Sequence, residues 1–205
     1  MASQGKIPGP MMKSIRRNAW VAVAAFLVVL IGVSLWERTQ GPPPADIGGP
    51  FALTDQNGKE VTDKTFRGKY ELIYFGFTHC PDACPTTLTL IGGALKKLPP
   101  GDAKKIQPIF ITLDPERDTP PVMKEYVDYF VPGMEGLTGS TKAIADVARV
   151  FRVSYQKVKD PNSDQPYTID HSSIIYVMDG QGRFIKNFSV GITPDSLAQE
   201  LKKIL

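Results

Sequence analysis

Two dense apolar runs constrain the fold of this chain more than any other feature of its sequence. Residues 70–77 have the sequence YELIYFGF and residues 106–113 the sequence IQPIFITL. Neither run alternates regularly between polar and apolar side chains, which is typical of strands buried on both faces of a sheet. Each run is followed by a segment with apolar residues at spacings of three and four, and this spacing predicts a helix. A strand, helix, strand, helix unit is therefore predicted at the centre of the fold.

Shorter signals complete the predicted order of elements. Asn57-Gly58 predicts a hairpin turn within residues 51–61, and residues 179–182 predict the turn of a second hairpin over residues 173–188. Four helices are predicted, opening near Pro85, Thr119, Ser140 and Thr193. The order is hairpin, strand, helix, strand, two helices, two strands and helix. This order predicts an α/β fold whose sheet has parallel and antiparallel parts.

Residues 19–36, AWVAVAAFLVVLIGVSLW, are 18 residues without a charge. As a helix, the run would be about 27 Å long and would nearly match a hydrocarbon core of roughly 30 Å. Tryptophans lie near both ends, and four basic and no acidic residues precede it, a pattern that keeps the N-terminus in the cytoplasm. We expect a transmembrane anchor over residues 19–36 after a cytoplasmic tail over residues 1–18. A signal peptide cleaved near residues 32–34 is the alternative.

The remainder of the chain is expected on the other side of the membrane. Residues 37–50 are rich in proline and glycine, as in a semi-rigid linker, and the globular domain is expected over residues 51–205. A bacterial chain would place this domain in the periplasm, and a mitochondrial chain would place it in the intermembrane space. The tail lacks the arginine and serine richness of a transit peptide, which favours the bacterial inner membrane.

The charge balance argues against a nucleic-acid partner. The net charge is +3, but four of the 24 lysines and arginines precede the apolar run, which leaves 20 basic against 21 acidic residues. No basic stripe remains in the globular domain, so binding to nucleic acid is not expected.

The only two cysteines, Cys80 and Cys84, lie in FTHCPDACPTT, between a predicted strand and a predicted helix. A domain of this size buries an ordinary core without disulfides, so the pair is a candidate for chemistry. Free backbone N–H groups at a helix N-terminus stabilise a thiolate. Three intervening residues let both sulfurs converge on one ion, although a disulfide is also geometrically possible.

Two sulfurs leave an ion under-coordinated, and the chain has two histidines. His79 neighbours Cys80 and is expected to point away from its sulfur, whereas His171 precedes the second hairpin, which can place the imidazole over the cysteines. Asp170 could orient that ring. Two thiolates and one imidazole suit Cu(I) and, with a further donor, Cu(II). Structural zinc generally needs four protein ligands, and the chain lacks an obvious fourth.

The segment LDPERDTP follows the second apolar run and contains Asp114, Glu116 and Asp118. These carboxylates could cluster near the cysteines, because strands on either side of a switch point end at the same sheet edge. A capped, solvated loop is the alternative. Acid–base catalysis would need a substrate pocket that the sequence does not show.

Three motifs, FTHCPDACP, LDPERDTP and IDHSSIIYVMD, follow one another in this order after a single apolar span. Together they resemble the SCO/SenC family of thioredoxin-like copper proteins, which take part in the assembly of cytochrome c oxidase. The resemblance covers residues 50–205. It implies a thioredoxin-like fold with an N-terminal β-hairpin extension and copper ligation by Cys80, Cys84 and His171. Asp114 and Asp170 match acidic positions of the other two motifs and are candidates for groups that surround the ligands.

The resemblance further implies a membrane-anchored copper metallochaperone, not an enzyme, that delivers copper to the binuclear copper site of oxidase subunit II. Another periplasmic copper chaperone and a thiol reductant are further expected partners. The alternative is a thiol-disulfide oxidoreductase that reduces the oxidase's copper-site cysteines, or a redox signalling protein; in these, His171 would matter little. Peroxidase activity is less well supported, because no arginine lies near Cys80 in the sequence.

Overall fold

The computed structural model describes residues 47–159 and 165–205, together with residues 20, 21, 23 and 25–32. The chain divides into two compact units, Met1–Ala45 and Asp46–Leu205. The described residues of the first unit are helical and exposed. Among all described residues, no helix has both the length and the apolar character needed to cross a membrane. The predicted tail, the ends of the predicted anchor and most of the predicted linker lie outside the described residues.

Nine strands are present in the described part of the second unit. Their bounds are β1 Ala52–Asp55, β2 Glu60–Thr62, β3 Tyr70–Gly76, β4 Ile106–Thr112, β5 Glu135–Thr138, β6 Tyr155–Val158, β7 Thr168–His171, β8 Ile174–Met178 and β9 Phe184–Ser189. Seven of them form one sheet in the order β2-β1-β5-β4-β3-β8-β9, and β6 pairs with β7 separately. The β3–β4 and β4–β5 pairs are parallel, and the other pairs are antiparallel. The predicted mixed α/β sheet is confirmed.

Five helices accompany these strands. Their bounds are α1 Ala83–Lys96, α2 Pro100–Ala103, α3 Pro120–Phe130, α4 Thr141–Val150 and α5 Pro194–Ile204. α1 packs against both α3 and α5, and α3 packs on β5. Phe151 is the C-cap residue of α4, and its ring lies 5.4 Å from that of Phe75.

The centre of the sheet is covered on both faces. Tyr74 and Phe75 are consecutive in β3 and therefore point to opposite faces. The Tyr74 ring stacks on Phe110 of β4, whereas Phe75 meets Phe151 and Tyr176. All of β4, and every residue of β3 after Tyr70, is buried. This two-sided burial is the reason why the two apolar runs lack a polar face, and it confirms the prediction made from them.

Besides the four-residue helix α2, two features of the fold were not predicted from the sequence. The first is β5, a four-residue strand that contains Gly136. A Cβ at Gly136 would lie 3.1 Å from Val127 Cγ1, so the glycine lets α3 lie close on the sheet. The second is the β6–β7 hairpin, whose strands are short and half-exposed. His171 is consequently the last residue of β7, whereas the sequence predicted only that it precedes the hairpin over residues 173–188.

The three predicted N-cap residues behave differently. Ser140 Oγ accepts a hydrogen bond from Ala143 N at the start of α4, and Thr193 Oγ1 accepts one from Ser196 N at the start of α5. Thr119 occupies the N-cap position of α3, but its side chain forms no capping bond. The backbone position was predicted correctly in all three helices, whereas the capping interaction depends on the side-chain rotamer.

We expect Thr193→Ala to lower the free energy of unfolding by about 1 kcal/mol, because it removes a capping acceptor from α5. Thr119→Ala is the matched control, since both threonines are exposed and each precedes a proline at the first helical position. It should change stability much less. Urea unfolding followed by circular dichroism measures both values, and equal losses would contradict the assignment.

Candidate metal centre

The two cysteines lie at the connection between β3 and α1. Cys80 is in the connecting loop, residues 77–82, which we term the cysteine loop, and Cys84 is in the first turn of α1. Cys80 is half-buried, Cys84 is fully buried, and both are free thiols. The backbone N–H of Cys84 points at Cys80 Sγ, with a separation of 3.4 Å. The helix N-terminus thus places a donor on the more accessible sulfur.

Gly76, the last residue of β3, makes the buried position of Cys84 possible. A Cβ at Gly76 would lie 2.6 Å from Cys84 Sγ and 2.8 Å from Phe110 Cε2. Any larger residue would therefore displace the sulfur or the ring beneath it. Gly76 was not predicted from the sequence as part of the site, although a lone glycine inside an apolar strand is a known signal of close approach.

His171 faces this thiol pair from the end of β7. Its Nε2 lies 3.9 Å from Cys84 Sγ, and its Nδ1 lies 3.2 Å from the carbonyl oxygen of Ser172. Because a carbonyl only accepts hydrogen bonds, Nδ1 must donate in this contact. In the neutral ring, Nε2 then keeps its lone pair on the side of the cysteines, as a metal-ligating imidazole requires.

The pKa values of the two thiols are shifted in opposite directions. A hydrogen bond from the Cys84 side chain is the main cause that lowers the pKa of Cys80 to about 5, with further contributions from backbone N–H groups and from His171, against the effect of burial. The pKa of Cys84 is raised, because its side chain is hydrogen-bonded to Cys80 and is buried. The first proton to leave the pair therefore comes from the more exposed sulfur.

Other candidate ligands do not join this group. The Asp170 side chain is exposed, and the ring position it was expected to contact is taken by the Ser172 carbonyl. His79 is also exposed; its Nδ1 lies 3.1 Å from Thr78 Oγ1 and 3.7 Å from Asp118 Oδ1. No three His, Cys, Asp or Glu side chains in the described ranges form a closed metal-binding cluster.

The arrangement nevertheless fits an ion shared by Cys84 and His171. Metal–sulfur and metal–imidazole bonds of about 2.3 Å and about 2.0 Å allow the two donor atoms to be up to about 4.3 Å apart. The observed separation of 3.9 Å lies within that limit. The Cys80 sulfur, which accepts a hydrogen bond from the backbone N–H of Cys84, is a candidate for a third donor. The three side chains would have to move closer together around an ion that binds.

The first carboxylate of the segment 114–118, which we term the acidic loop, fixes the hairpin that carries His171. Asp114 is fully buried; its Oδ1 accepts a hydrogen bond of 2.8 Å from the Tyr167 hydroxyl and its Oδ2 accepts one from Arg117 Nε. The Arg117 guanidinium lies 4.0 Å from the centre of the Tyr167 ring. Tyr167 directly precedes β7, so Asp114 acts on His171 through the hairpin and not by direct contact.

The last carboxylate of the acidic loop fixes the cysteine loop. Asp118 is fully buried and accepts hydrogen bonds from Thr78 N at 3.0 Å, Thr78 Oγ1 at 2.6 Å and Thr112 Oγ1 at 2.5 Å. Between the two aspartates, Glu116 is exposed and pairs with Lys157 at 2.8 Å. The expected carboxylate cluster is therefore two buried anchors with one solvated acid between them.

The fold and this site together define a thioredoxin-like α/β domain that holds a thiol pair opposite a histidine. The sequence profile described as SCO1/SenC matches residues 39–205. The chain belongs to the SCO1/SenC family.

Individual relatives agree with this assignment. A SCO2-like protein of Rickettsia prowazekii is 46% identical over 156 residues, which are 76% of each chain. The copper-bound structure of Bradyrhizobium japonicum ScoI is 52% identical, with a TM-score of 0.70 over 78% of this chain and 99% of that one. BsSco, from the Sco family of cytochrome c oxidase assembly proteins, has a disulfide switch; it is 28% identical, with a TM-score of 0.60 over 80% of this chain and 96% of that one.

We expect iodoacetamide to alkylate Cys80 and not Cys84 in the reduced protein. The rate of alkylation should rise with pH with a midpoint near 5, the pKa of Cys80. Above that pH, Cys80 is a thiolate and is accessible, whereas Cys84 is buried and has a raised pKa. Mass spectrometry of quenched time points identifies the modified residue. A midpoint near 8 to 9, the usual range of a free thiol, would contradict the assignment.

The hydrogen bond from the Tyr167 hydroxyl to Asp114 should stabilise the β6–β7 hairpin. Tyr167→Phe should lower the free energy of unfolding by about 1–3 kcal/mol, because the Asp114 carboxylate would lose a partner in a buried site. It should also speed amide hydrogen exchange in β7. Tyr155→Phe is the matched control, since the Tyr155 hydroxyl has no hydrogen-bond partner among the described residues. If both variants behave alike, the hydroxyl does not hold the hairpin.

Proposed function

We propose that this protein binds copper through Cys80, Cys84 and His171 and delivers it to the binuclear copper site of cytochrome c oxidase subunit II. The observation that carries the proposal is the contact between His171 and Cys84. The imidazole nitrogen faces the sulfur at 3.9 Å while the other ring nitrogen is held by a backbone carbonyl. This contact prepares a donor atom for an ion.

The donor set fits copper better than the other common metals. Thiolates are soft ligands that favour Cu(I), and imidazole also accepts Cu(II). One thiol is already acidic, and proton loss from the second would accompany metal binding, as it does for thiolate ligands in general. Copper-bound structures of similar proteins support the same choice.

The unequal exposure of the sulfurs suits transfer of the ion. Cys84 is buried beneath β3, whereas Cys80 is half-buried at the protein surface. A thiolate of an acceptor protein can therefore approach from the side of Cys80 and replace it as a ligand first. Cys84 and His171 would hold the ion until the exchange is complete.

We further propose that residues 19–36 anchor the domain in the bacterial inner membrane, with the N-terminus in the cytoplasm. The 18 uncharged residues and the four basic residues that precede them support this topology. The domain would then lie in the periplasm, where it could reach the copper site of the acceptor. Another copper chaperone would supply the ion, and a thiol reductant would keep the cysteines reduced.

A second candidate function is thiol-disulfide exchange with the oxidase cysteines or a redox signal. The acidic Cys80 thiol favours it, and BsSco, a similar protein, has a disulfide switch. The Cys80 thiolate would attack a partner disulfide and Cys84 would then displace the partner sulfur. The partner would gain two thiols, this protein would hold the disulfide, and a thiol reductant would return it to the dithiol form.

We expect His171→Ala to weaken Cu(I) binding by at least about tenfold. Mutation of a residue that only hydrogen-bonds to a metal ligand commonly weakens binding by this factor or more, and loss of the ligand itself should cost at least as much. His79→Ala removes the only other histidine of the chain and should leave the affinity unchanged. Competition with a chromophoric Cu(I) chelator measures both constants on the reduced full-length protein. Equal affinities in wild type and His171→Ala would remove His171 from the site.

Complementation of a deletion strain separates the two candidate functions. If copper delivery is the function, His171→Ala and the double variant Cys80→Ser/Cys84→Ser should both abolish oxidase activity. Retained activity in His171→Ala with lost activity in the double variant would favour thiol-disulfide exchange.

A further inference from the structure

An aromatic groove lies beside the cysteine loop. Outside the N-terminal helix, the described residues expose three large apolar side chains, Val122, Tyr129 and Ile185. Two of these, Val122 and Tyr129, line the same groove on α3, together with Tyr126 and Phe130. The groove has a volume of about 360 Å³. Clustered exposed apolar side chains on a soluble domain mark an interaction surface more often than scattered ones do.

The aromatic wall of the groove is already assembled. Phe130 contacts Tyr126 and Tyr129 edge to face, with ring centres 5.0 Å and 4.8 Å apart. Tyr129 is 80% exposed even so. Aromatic rings held by their neighbours lose little conformational freedom when a partner covers them, which is one reason why such rings are frequent at the centres of protein interfaces.

The opposite wall of the groove is the cysteine loop itself. Thr78 and His79 line it, and Cys80 is the next residue, a Cα step of about 3.8 Å further along the chain. Thr78 is held by two hydrogen bonds to the buried Asp118 carboxylate. The groove therefore reaches the two residues that directly precede Cys80, and the first of them is held in place by Asp118.

The groove also has an unbalanced negative charge. Glu125 lines it, is exposed, and forms no ion pair within the described residues. The other acid on this stretch of α3, Asp128, is paired with Lys124 at 3.0 Å. Among the described residues, no lysine or arginine lines the groove, so a partner that carries a basic side chain would be favoured over an acidic one.

We propose that this aromatic groove is the docking surface for the protein that accepts the copper. The occupant is a segment next to the acceptor's metal-binding cysteines that places an apolar or aromatic side chain between Tyr129 and the cysteine loop. A lysine or arginine of the same segment pairs with Glu125. The inference rests on the proposed function, because it assigns the surface that brings the acceptor's thiolates to Cys80.

The test uses the reduced, copper-loaded full-length protein in detergent and the purified copper-site domain of oxidase subunit II. Two variants change the groove, Tyr129→Ser and Glu125→Gln. Their matched controls are Ile185→Ser, which removes the third exposed apolar side chain, and Glu60→Gln, which removes an exposed acid on β2 that has no ion pair among the described residues. Isothermal titration gives the Kd of docking, and stopped-flow spectroscopy gives the rate of copper transfer.

We expect Tyr129→Ser to raise the Kd of docking by at least about tenfold, the effect of removing an aromatic anchor from an interface. Glu125→Gln should slow association and make it less sensitive to salt, because it removes the charge that attracts the partner. Both control variants should dock and transfer as wild type does. All four should bind Cu(I) with unchanged affinity, since none of these side chains belongs to the metal centre.

The possible outcomes are distinct. If wild type transfers copper and Tyr129→Ser docks and transfers equally well, the groove is not the docking surface, while copper delivery stands. If the wild-type protein transfers no copper to the subunit II domain, the proposed function fails and the inference fails with it. Concentration-dependent self-association that Tyr129→Ser abolishes would identify a second copy of this chain as the occupant and overturn the proposal.

Discussion

Two buried aspartates in the acidic loop support the arrangement of the whole site. An ionised carboxylate without partners is very unfavourable in a protein interior, so Asp114 and Asp118 can be buried only if neighbouring groups satisfy them. Thr78 and Thr112 satisfy Asp118, and Tyr167 and Arg117 satisfy Asp114. The hydrogen bonds of Asp118 hold the cysteine loop at the end of β4, and those of Asp114 hold the β6–β7 hairpin there. The cysteine loop and the β7 hairpin meet because both are tied to the same five-residue segment.

This tie explains why the site is both ordered and open. Cys84 and His171 are held by the sheet, by Gly76 and by the hairpin, whereas Cys80 is half-exposed in its loop. A site that binds an ion and then releases it to another protein needs both properties. The fixed donors preserve the geometry, and the accessible thiolate offers the entry and exit route. The aromatic groove includes Thr78 and His79 of the same loop, so that a partner bound there would contact the segment that carries Cys80.

Much of the fold could be predicted because its signals are local. Residues 70–77 and 106–113 lack a polar face since both faces are covered, and the Asn57-Gly58 turn and the helix starts follow from backbone preferences of single residues. β5 and the β6–β7 hairpin could not be predicted in the same way. They are short, and their stability comes from pairing with strands or from contacts such as Tyr167 with Asp114, which lie far apart in the sequence.

The sequence by itself determined the chemistry that this protein has available: one pair of cysteines at a helix N-terminus, two histidines and a loop rich in carboxylates. The tertiary structure decided which of these act together. It brought His171 to Cys84 over 87 positions, left His79 and Asp170 at the surface, and turned two of the three acids into structural anchors. The physical reason is that residue type fixes which bonds a side chain can form, whereas burial and the satisfaction of buried charge fix which of those bonds are formed.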